Sequence, residues 1–373
     1  MLDSGRLLAM ARKEAIQLRR DPRSMVLAFV LPLFMLLFFG YAINWDVKDI
    51  RIAVLDYDRS QSSRQLIDAF QSSGYFRVVE YLQSQRDIDE RLSQGSATAV
   101  MVIPPEFREE IASGRKAPVQ LLLDGNDANT AIIAQNYADA IAARYSRTVI
   151  LKGQRIQPPV EAEGRVWYNP QLESRNMIVP GLIAVIMSII AAMLTALTIA
   201  REWERGTMEQ LAATPVHRLE VVFGKLLPYL AIGLFDVIIT AIAGILIFGV
   251  PLRGNVLLLG VMTILFLVGA LGLGMFISAV LKSQVLATQI AMVATYMPAL
   301  LLSGFLFDVA NMPVVLRAIT YIVPAKYYIA VTRGIFLKGV GLEALWVQGL
   351  SMVLFATIGL ALAAGAFQKR ITT

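Results

Sequence analysis

Few side chains in this sequence could do chemistry unaided. His217 is the one histidine and there is no cysteine, which excludes disulfides, thiolate catalysis, and thiolate or multi-histidine metal sites. Gly224-Lys225 is not a phosphate loop, because Leu219 stands where the upstream glycine belongs. Asp124-Gly125-Asn126-Asp127 lacks the later bidentate glutamate of a calcium loop and reads as a turn. Glu109-Glu110 and Asp87–Glu90 read as solvated helix faces. His217, just after Pro215, reads as an interfacial side chain. Asp236 is different, because it is the one formal charge well inside a long apolar run. A carboxylate there costs roughly 2.5–3.5 kcal/mol and should face protein or water. It reads equally as a polar point on a substrate path and as a structural carboxyl paired with Thr240 or a neighbouring span.

The most informative short segment is Arg201-Glu202-Trp203-Glu204-Arg205-Gly206-Thr207-Met208-Glu209-Gln210-Leu211-Ala212-Ala213-Thr214-Pro215. Gly206 allows a break after the apolar run before it. Thr207 with Gln210 fits a capping box that starts a short helix, and Pro215 ends that helix. One reading is a solvated loop. The other is a rigid lever that a soluble partner can push.

The elements that must position these residues are apolar. Hydrophobic residues make up 56% of the 373, above the 45–50% or so of ordinary soluble domains, and mean hydropathy is +0.60. The excess sits in six runs, near Met25–Asn44, Met177–Ala200, Leu226–Val250, Asn255–Leu281, Val285–Phe307 and Leu345–Phe367. Each has about the 20 residues that cross a bilayer. Ahead of them, Ser4 to Arg20 reads as an amphipathic helix with Leu7, Leu8, Ala11, Ala15 and Leu18 on one arc and Arg6, Arg12, Lys13, Arg19 and Arg20 off it. Basic residues in short loops favour a cytoplasmic N-terminus, 13 against five on the other side. Both termini are then inside, and residues 45–176 lie outside the cytoplasm. That stretch alternates strand and helix patterns and is long enough for its own α/β core. The 307–339 stretch is broken by Pro313 and Pro324 and carries Lys326 and Arg333. It reads as two short helices dipping into the outer leaflet, or as an ordinary loop. Gly269, Gly272 and Gly274 suit close helix packing within the bundle, or a contact at a dimer seam.

The 201–215 segment resembles the "ERE…GT…QL…TP" pattern of ABC-2 type transporter permeases. It is similar in particular to the bacterial drug- and antibiotic-exporting branch with a large extracytoplasmic domain between the first two spans. The likeness covers nearly the whole chain. It continues in Leu302-Ser303-Gly304-Phe305, Asn311-Met312-Pro313, Pro324, Tyr327-Tyr328 and Arg333 through Gly339, and in Trp167-Tyr168-Asn169-Pro170 and Leu123-Asp124-Gly125-Asn126. Trp203 departs from it, standing where a charged residue is usual. The resemblance implies a coupling helix near Thr207–Thr214 that docks on an ATP-binding-cassette ATPase subunit. Glu202, Glu204, Arg205, Gly206, Thr207, Glu209, Gln210 and Arg218 would serve that contact. The interfacial helix, with Arg12, Lys13, Arg19 and Arg20, would clamp the same subunit. ATP and Mg would be bound by the partner, leaving this chain without cofactor or metal. Further expected partners are a second permease copy or sister permease, a periplasmic adaptor and membrane lipid, but no nucleic acid. Asp236, Ser303, Phe305 and Tyr327 are candidates for the substrate path.

The expected fold is a membrane all-α bundle of six transmembrane helices with an inserted extracytoplasmic α/β domain. Its parts are an interfacial helix (1–23), a first span (24–44), the inserted domain (45–176) and a five-helix domain (177–373). The last holds the coupling helix near 201–219 and re-entrant helices near 308–340. The expected function is the permease subunit of an exporter in the bacterial inner membrane, not an enzyme, moving an amphipathic drug, lipid or glycolipid. The rival readings are a proton-driven secondary transporter working through Asp236 and a receptor with an external sensing domain. Against the first stands the lack of an inverted repeat, and against the second the lack of a cytoplasmic output domain.

Overall fold

The computed structural model describes residues 3–43, 49–126, 128–150, 168–169, 173–214 and 216–367. Asn44, Asp127, Trp167, Pro170, Pro215, Lys369 and Arg370, used in the sequence reading, lie outside the described residues. The chain divides into two compact units, Met1–Asn44 with Arg165–Thr373, and Trp45–Gly164.

Helix α1 (Ser4–Arg19) starts at Asp3, whose carboxylate accepts from the Gly5 N–H at 2.8 Å. Its packed face differs from the expected arc. Met10, Ala11, Glu14 and Leu18 are buried, while Leu8 and Ala15 are exposed. The turn of the face has two causes, described below: a glycine that admits Met10 and a lysine that draws Glu14 inward. After Asp21, α2 (Pro22–Met25) runs through a π turn (Val26–Val30) into α3 (Leu31–Ala42). The apolar part, Val26–Ala42, is shorter than the run read from sequence.

In the second unit, β1 (Ile50–Asp56), α4 (Gln61–Gln71), β2 (Phe76–Tyr81), α5 (Arg86–Ser93), β3 (Ala99–Ile103), α6 (Phe107–Ala112), β4 (Gln120–Leu123) and α7 (Ala128–Ile150) follow in order. The sheet order is β2-β1-β3-β4, with β1 parallel to β2 and β3, and β4 antiparallel to β3. Apolar side chains fill both faces of the central strands, as buried parallel strands require. Ile52, Val54, Met101 and Phe70 lie in the larger cluster, and Ala53, Leu55 and Val100 in the smaller.

The first unit resumes with α8 (Ser174–Glu204), α9 (Met208–Ala213), α10 (Arg218–Phe248), α11 (Val256–Leu281), α12 (Gln284–Leu301), α13 (Val314–Thr320), α14 (Pro324–Arg333) continued by a π turn (Gly334–Lys338), and α15 (Leu342–Ala366). Among the described residues, α8, α10, α11, α12 and α15 are long and apolar enough to cross a membrane. The count rises to six if α13 and α14, bent by 74°, form one broken span. α8 is apolar all round and 89% of its most apolar stretch is buried, so it is the centre of the bundle. It packs against α3, α10, α11, α12 and α14. α10 and α15 turn Ile242, Leu246, Leu350 and Leu354 outward.

Glycines set the closest approaches. A Cβ on Gly274 would lie 2.3 Å from the Ala192 carbonyl oxygen of α8, and one on Gly272 would lie 2.6 Å from the Gly359 backbone of α15. Gly269 meets Gly359 and Phe355 in the same seam. These three glycines therefore serve close helix packing within the chain. At the other end of α11, the Gly254 N–H donates to the Ile335 carbonyl at 2.9 Å, tying the α10–α11 turn to the π turn after α14.

Candidate coupling site

The connection from α8 to α10 is built by local chemistry. α8 stops because Gly206 takes a left-handed backbone, φ +68°. The Thr207 N–H and hydroxyl both donate back to the Glu202 carbonyl, at 3.0 and 3.4 Å, so Thr207 serves the end of α8. Met208 opens α9 and is buried, while Glu209 and Gln210 are exposed. His217 caps α10: its ring nitrogen accepts from the Leu219 N–H, and Glu220 accepts from the His217 N–H at 2.8 Å. The other oxygen of Glu220 accepts from the Asp3 N–H at 2.8 Å, so the start of α10 also clips the start of α1.

Below this, α1, α8 and α10 share a buried ion cluster. The Lys225 ammonium lies 2.5 Å from Glu14 Oε1 and 3.1 Å from Glu202 Oε1. Lys13 reaches the same Glu202 oxygen at 2.7 Å. Lys225 is 0% exposed, Glu202 2% and Glu14 3%. A desolvated ammonium is tolerable only with such partners, and removing any one leaves a buried charge. Close approach is secured by Gly224, where a Cβ would lie 2.7 Å from Met10 Cβ. A second pair reinforces the joint: Arg201 meets Asp21 at 2.6 Å, and the Ser24 hydroxyl donates to Asp21 at 2.7 Å. Lys282 stands 4.2 Å over the Trp203 ring, and Glu204 accepts from the Gln284 N–H at 2.7 Å and from its side chain, which fixes the start of α12.

A separate polar knot joins α8, the segment after α12 and α14. Arg333 donates to the carbonyls of Met177 (3.1 Å), Gly304 (3.2 Å) and Phe305 (3.4 Å). Phe305 is buried against Gly181, and the buried Ser303 hydroxyl donates to the Ala299 carbonyl. The Tyr327 hydroxyl donates to the Tyr321 carbonyl at 2.8 Å. Its neighbour Tyr328 is fully buried, stacked on Phe266 and hydrogen-bonded to Thr263 at 2.7 Å. The bend between α13 and α14 is closed by Lys326, which donates to the Thr320 hydroxyl at 2.8 Å. Asp236 is 2% exposed, and its Oδ2 has no hydrogen-bond partner among the described residues. Thr240 donates to the Asp236 backbone carbonyl at 2.7 Å rather than to its carboxylate. Among the described residues no three His, Asp or Glu side chains gather as a metal site.

The family profile described as "ABC-2 family transporter protein" matches residues 23–365. The chain belongs to the ABC-2 transporter family. It is 36% identical to the "Probable multidrug ABC transporter permease YbhS" of Escherichia coli K12 over 341 residues, covering 91% of this chain and 90% of that one. It is 32% identical to YbhR, a protein of the same description and organism, over 91% and 92% of the two chains. The "Linearmycin resistance permease protein LnrN" of Bacillus subtilis is 22% identical over 96% and 98%. The chain is thus a multi-pass ABC-2 permease, a transport subunit whose ATPase lies in a separate partner.

Within this ABC-2 permease the residues read from sequence separate into two groups. Arg205, Glu209, Gln210 and Arg218 are exposed around α9, as are Arg12, Arg19 and Arg20 on α1. Glu202, Glu204 and Lys13 instead bond within the chain, with Glu202 buried. Glu14, Asp21 and Glu220 have no functional role in the sequence reading, and Lys225 enters it only through the discounted Gly224-Lys225 pair. A signal exists for two of them: Glu14 lies four residues from both Met10 and Leu18 on one helix face, and Lys225 borders the Leu226–Val250 apolar run.

Proposed function

We propose that this chain is the membrane half of an ATP-driven exporter in a bacterial inner membrane, with both termini cytoplasmic and the smaller unit outside. α9 is the coupling helix: Arg205, Glu209, Gln210 and Arg218 form the surface that meets the ATPase subunit. Glu202 and Lys225 act one layer behind, welding α8 and α10 to α1. ATP binding would draw two nucleotide domains together, and motion at α9 would move α1, α8 and α10 as one body. The observation that carries this reading is the buried Lys225–Glu14–Glu202 cluster, which ties to α1 the two helices, α8 and α10, that flank the short helix α9. A displaced joint of this kind transmits force, because breaking it would strand charges in a dry site.

A second permease copy or a sister permease completes the path, and the cargo is an amphipathic drug, lipid or glycolipid. The named functions of YbhS, YbhR and LnrN favour a drug. Asp236 is the polar point on that path, since its unpartnered oxygen would stabilise a cationic group brought beside it. Ser303, Phe305 and Tyr327 belong to the closed exit under α13 and α14, and an adaptor outside the membrane would meet the smaller unit.

The test is reconstitution of the permease with its ATPase partner in liposomes. Vanadate-sensitive, ATP-dependent transport is expected, and it should vanish when residues 207–214 are replaced by a Gly/Ser tether. Transport that persists without the ATPase and follows a proton gradient would assign the proton-driven reading instead.

A further inference from the structure

We propose that the smaller unit binds a single-tailed anionic amphiphile, a long-chain carboxylate, in a cleft between α7 and the outer edge of its sheet. The cleft has a volume of about 790 Å³, within the range of small-molecule sites. Its floor is the end of the apolar core: Phe70, Met101, Phe107 and Ala138 are buried there. Its wall is the four-residue edge strand β4, whose Leu121 and Leu123 remain only half-buried. Among the described residues the core cluster is therefore partly open along this side, which a hydrocarbon tail would cover.

The head is chosen by charge. Gly114, in a left-handed turn at φ +69°, is followed by Arg115 and Lys116, both exposed and both lining the cleft. Arg115 Nε donates to Ser113 Oγ at 2.9 Å, which orients its guanidinium. Lys116 has no ion-pair or hydrogen-bond partner among the described residues. The opposing wall contributes one acidic group, Asp139, against these two cations. The Tyr145 hydroxyl, also in the lining, is committed to the Ser62 carbonyl at 2.9 Å. An apolar slot with a cationic lip suits a carboxylate head, because charge-assisted hydrogen bonds to it are the strong ones. This inference does not rest on the transport reading and survives its failure, since it concerns one unit and binding alone.

The absence of cysteine makes a clean probe possible. Ala142→Cys places a thiol in the cleft lining, and Ser93→Cys places one on exposed α5 as a control. The full chain in nanodiscs is labelled with a water-soluble maleimide in the presence of decanoate, decanol or decyltrimethylammonium. Decanoate should slow labelling at position 142 by about tenfold and leave position 93 unchanged, equivalent to a occupancy near 90%. Replacing the exposed pair, Arg115→Gln with Lys116→Gln, should abolish that protection without disturbing the fold. Equal protection by all three probes, protection that persists in the double variant, or no protection at all overturns the proposal. A thiol at position 142 that is unreactive before any probe is added also overturns it, because the chain itself then fills the cleft.

Discussion

The Lys225 ammonium lies 2.5 Å from the Glu14 carboxylate, although 211 positions separate them in the chain. The contact joins the first helix to the start of α10, and Glu202 brings in the end of α8 from the other side. Three helices far apart in the chain, α1, α8 and α10, are thereby held at one buried point.

Lys225→Met should destabilise the permease by about 3–5 kcal/mol, because two carboxylates lose their buried counter-charge. The triple change Lys225→Met, Glu14→Gln, Glu202→Gln should recover much of that loss while uncoupling ATP hydrolysis from transport. Thermal unfolding in detergent and ATPase-to-transport ratios in liposomes read the two effects separately. A triple variant less stable than the single one would remove the ionic account of the joint.

Charge reversal at the exposed rim of α9, Arg205→Glu or Glu209→Lys, should leave unfolding unchanged. It should slow association with the ATPase subunit by about tenfold at low salt, with less effect at high salt, as rim charges act on encounter more than on residence. Surface-captured permease titrated with the ATPase gives both rates. An unchanged on-rate in both variants would move the docking surface elsewhere.

Arg333→Ala removes the donor shared by three carbonyls, those of Met177, Gly304 and Phe305. A loss of roughly 2–4 kcal/mol is expected from charged hydrogen bonds of this kind. Arg333→Lys should restore only part of it, because an ammonium lacks the planar fork that reaches several carbonyls at once. Protease cutting between α12 and α13 should rise in the same order, Ala above Lys above wild type.

Gly274→Ala would force a methyl to within 2.3 Å of the Ala192 carbonyl oxygen. It should cost about 1–3 kcal/mol or more through overpacking. Gly260→Ala on the same helix meets nothing within 4 Å and should be neutral or stabilising by up to about 1 kcal/mol. Detergent-resistant folded yield of the two variants gives the comparison directly.

Much of the local structure was legible in the residue order. Ile50–Asp56 and Ala99–Ile103 announce themselves by β-branched runs, and α8 by its unbroken apolar length. The stop at Gly206 was readable because left-handed backbone is cheap only for glycine. The exposure of the residues proposed for coupling was legible only in part. Arg205, Glu209 and Arg218 lie outward as their polarity suggests, yet Glu202 and Glu204, with the same polarity and in the same segment, bond within the chain. Sequence polarity says that a carboxylate needs a partner, and it is silent on whether the partner is water, another protein or a lysine on a distant helix.

By itself, the order of residues determined most of the apolar helices, the break at Gly206 and the alternation of strands and helices over residues 50–123, because these depend on neighbours a few positions apart; the capping box fell at His217 and Glu220 rather than at Thr207 and Gln210. Only the tertiary structure decided which face of α1 is packed, that Gly269, Gly272 and Gly274 serve intrachain seams, and that Lys225 is the hub of an ion cluster. Those outcomes turn on which helices lie side by side. Side-by-side placement is set by many weak contacts at once, and no short stretch of sequence contains it.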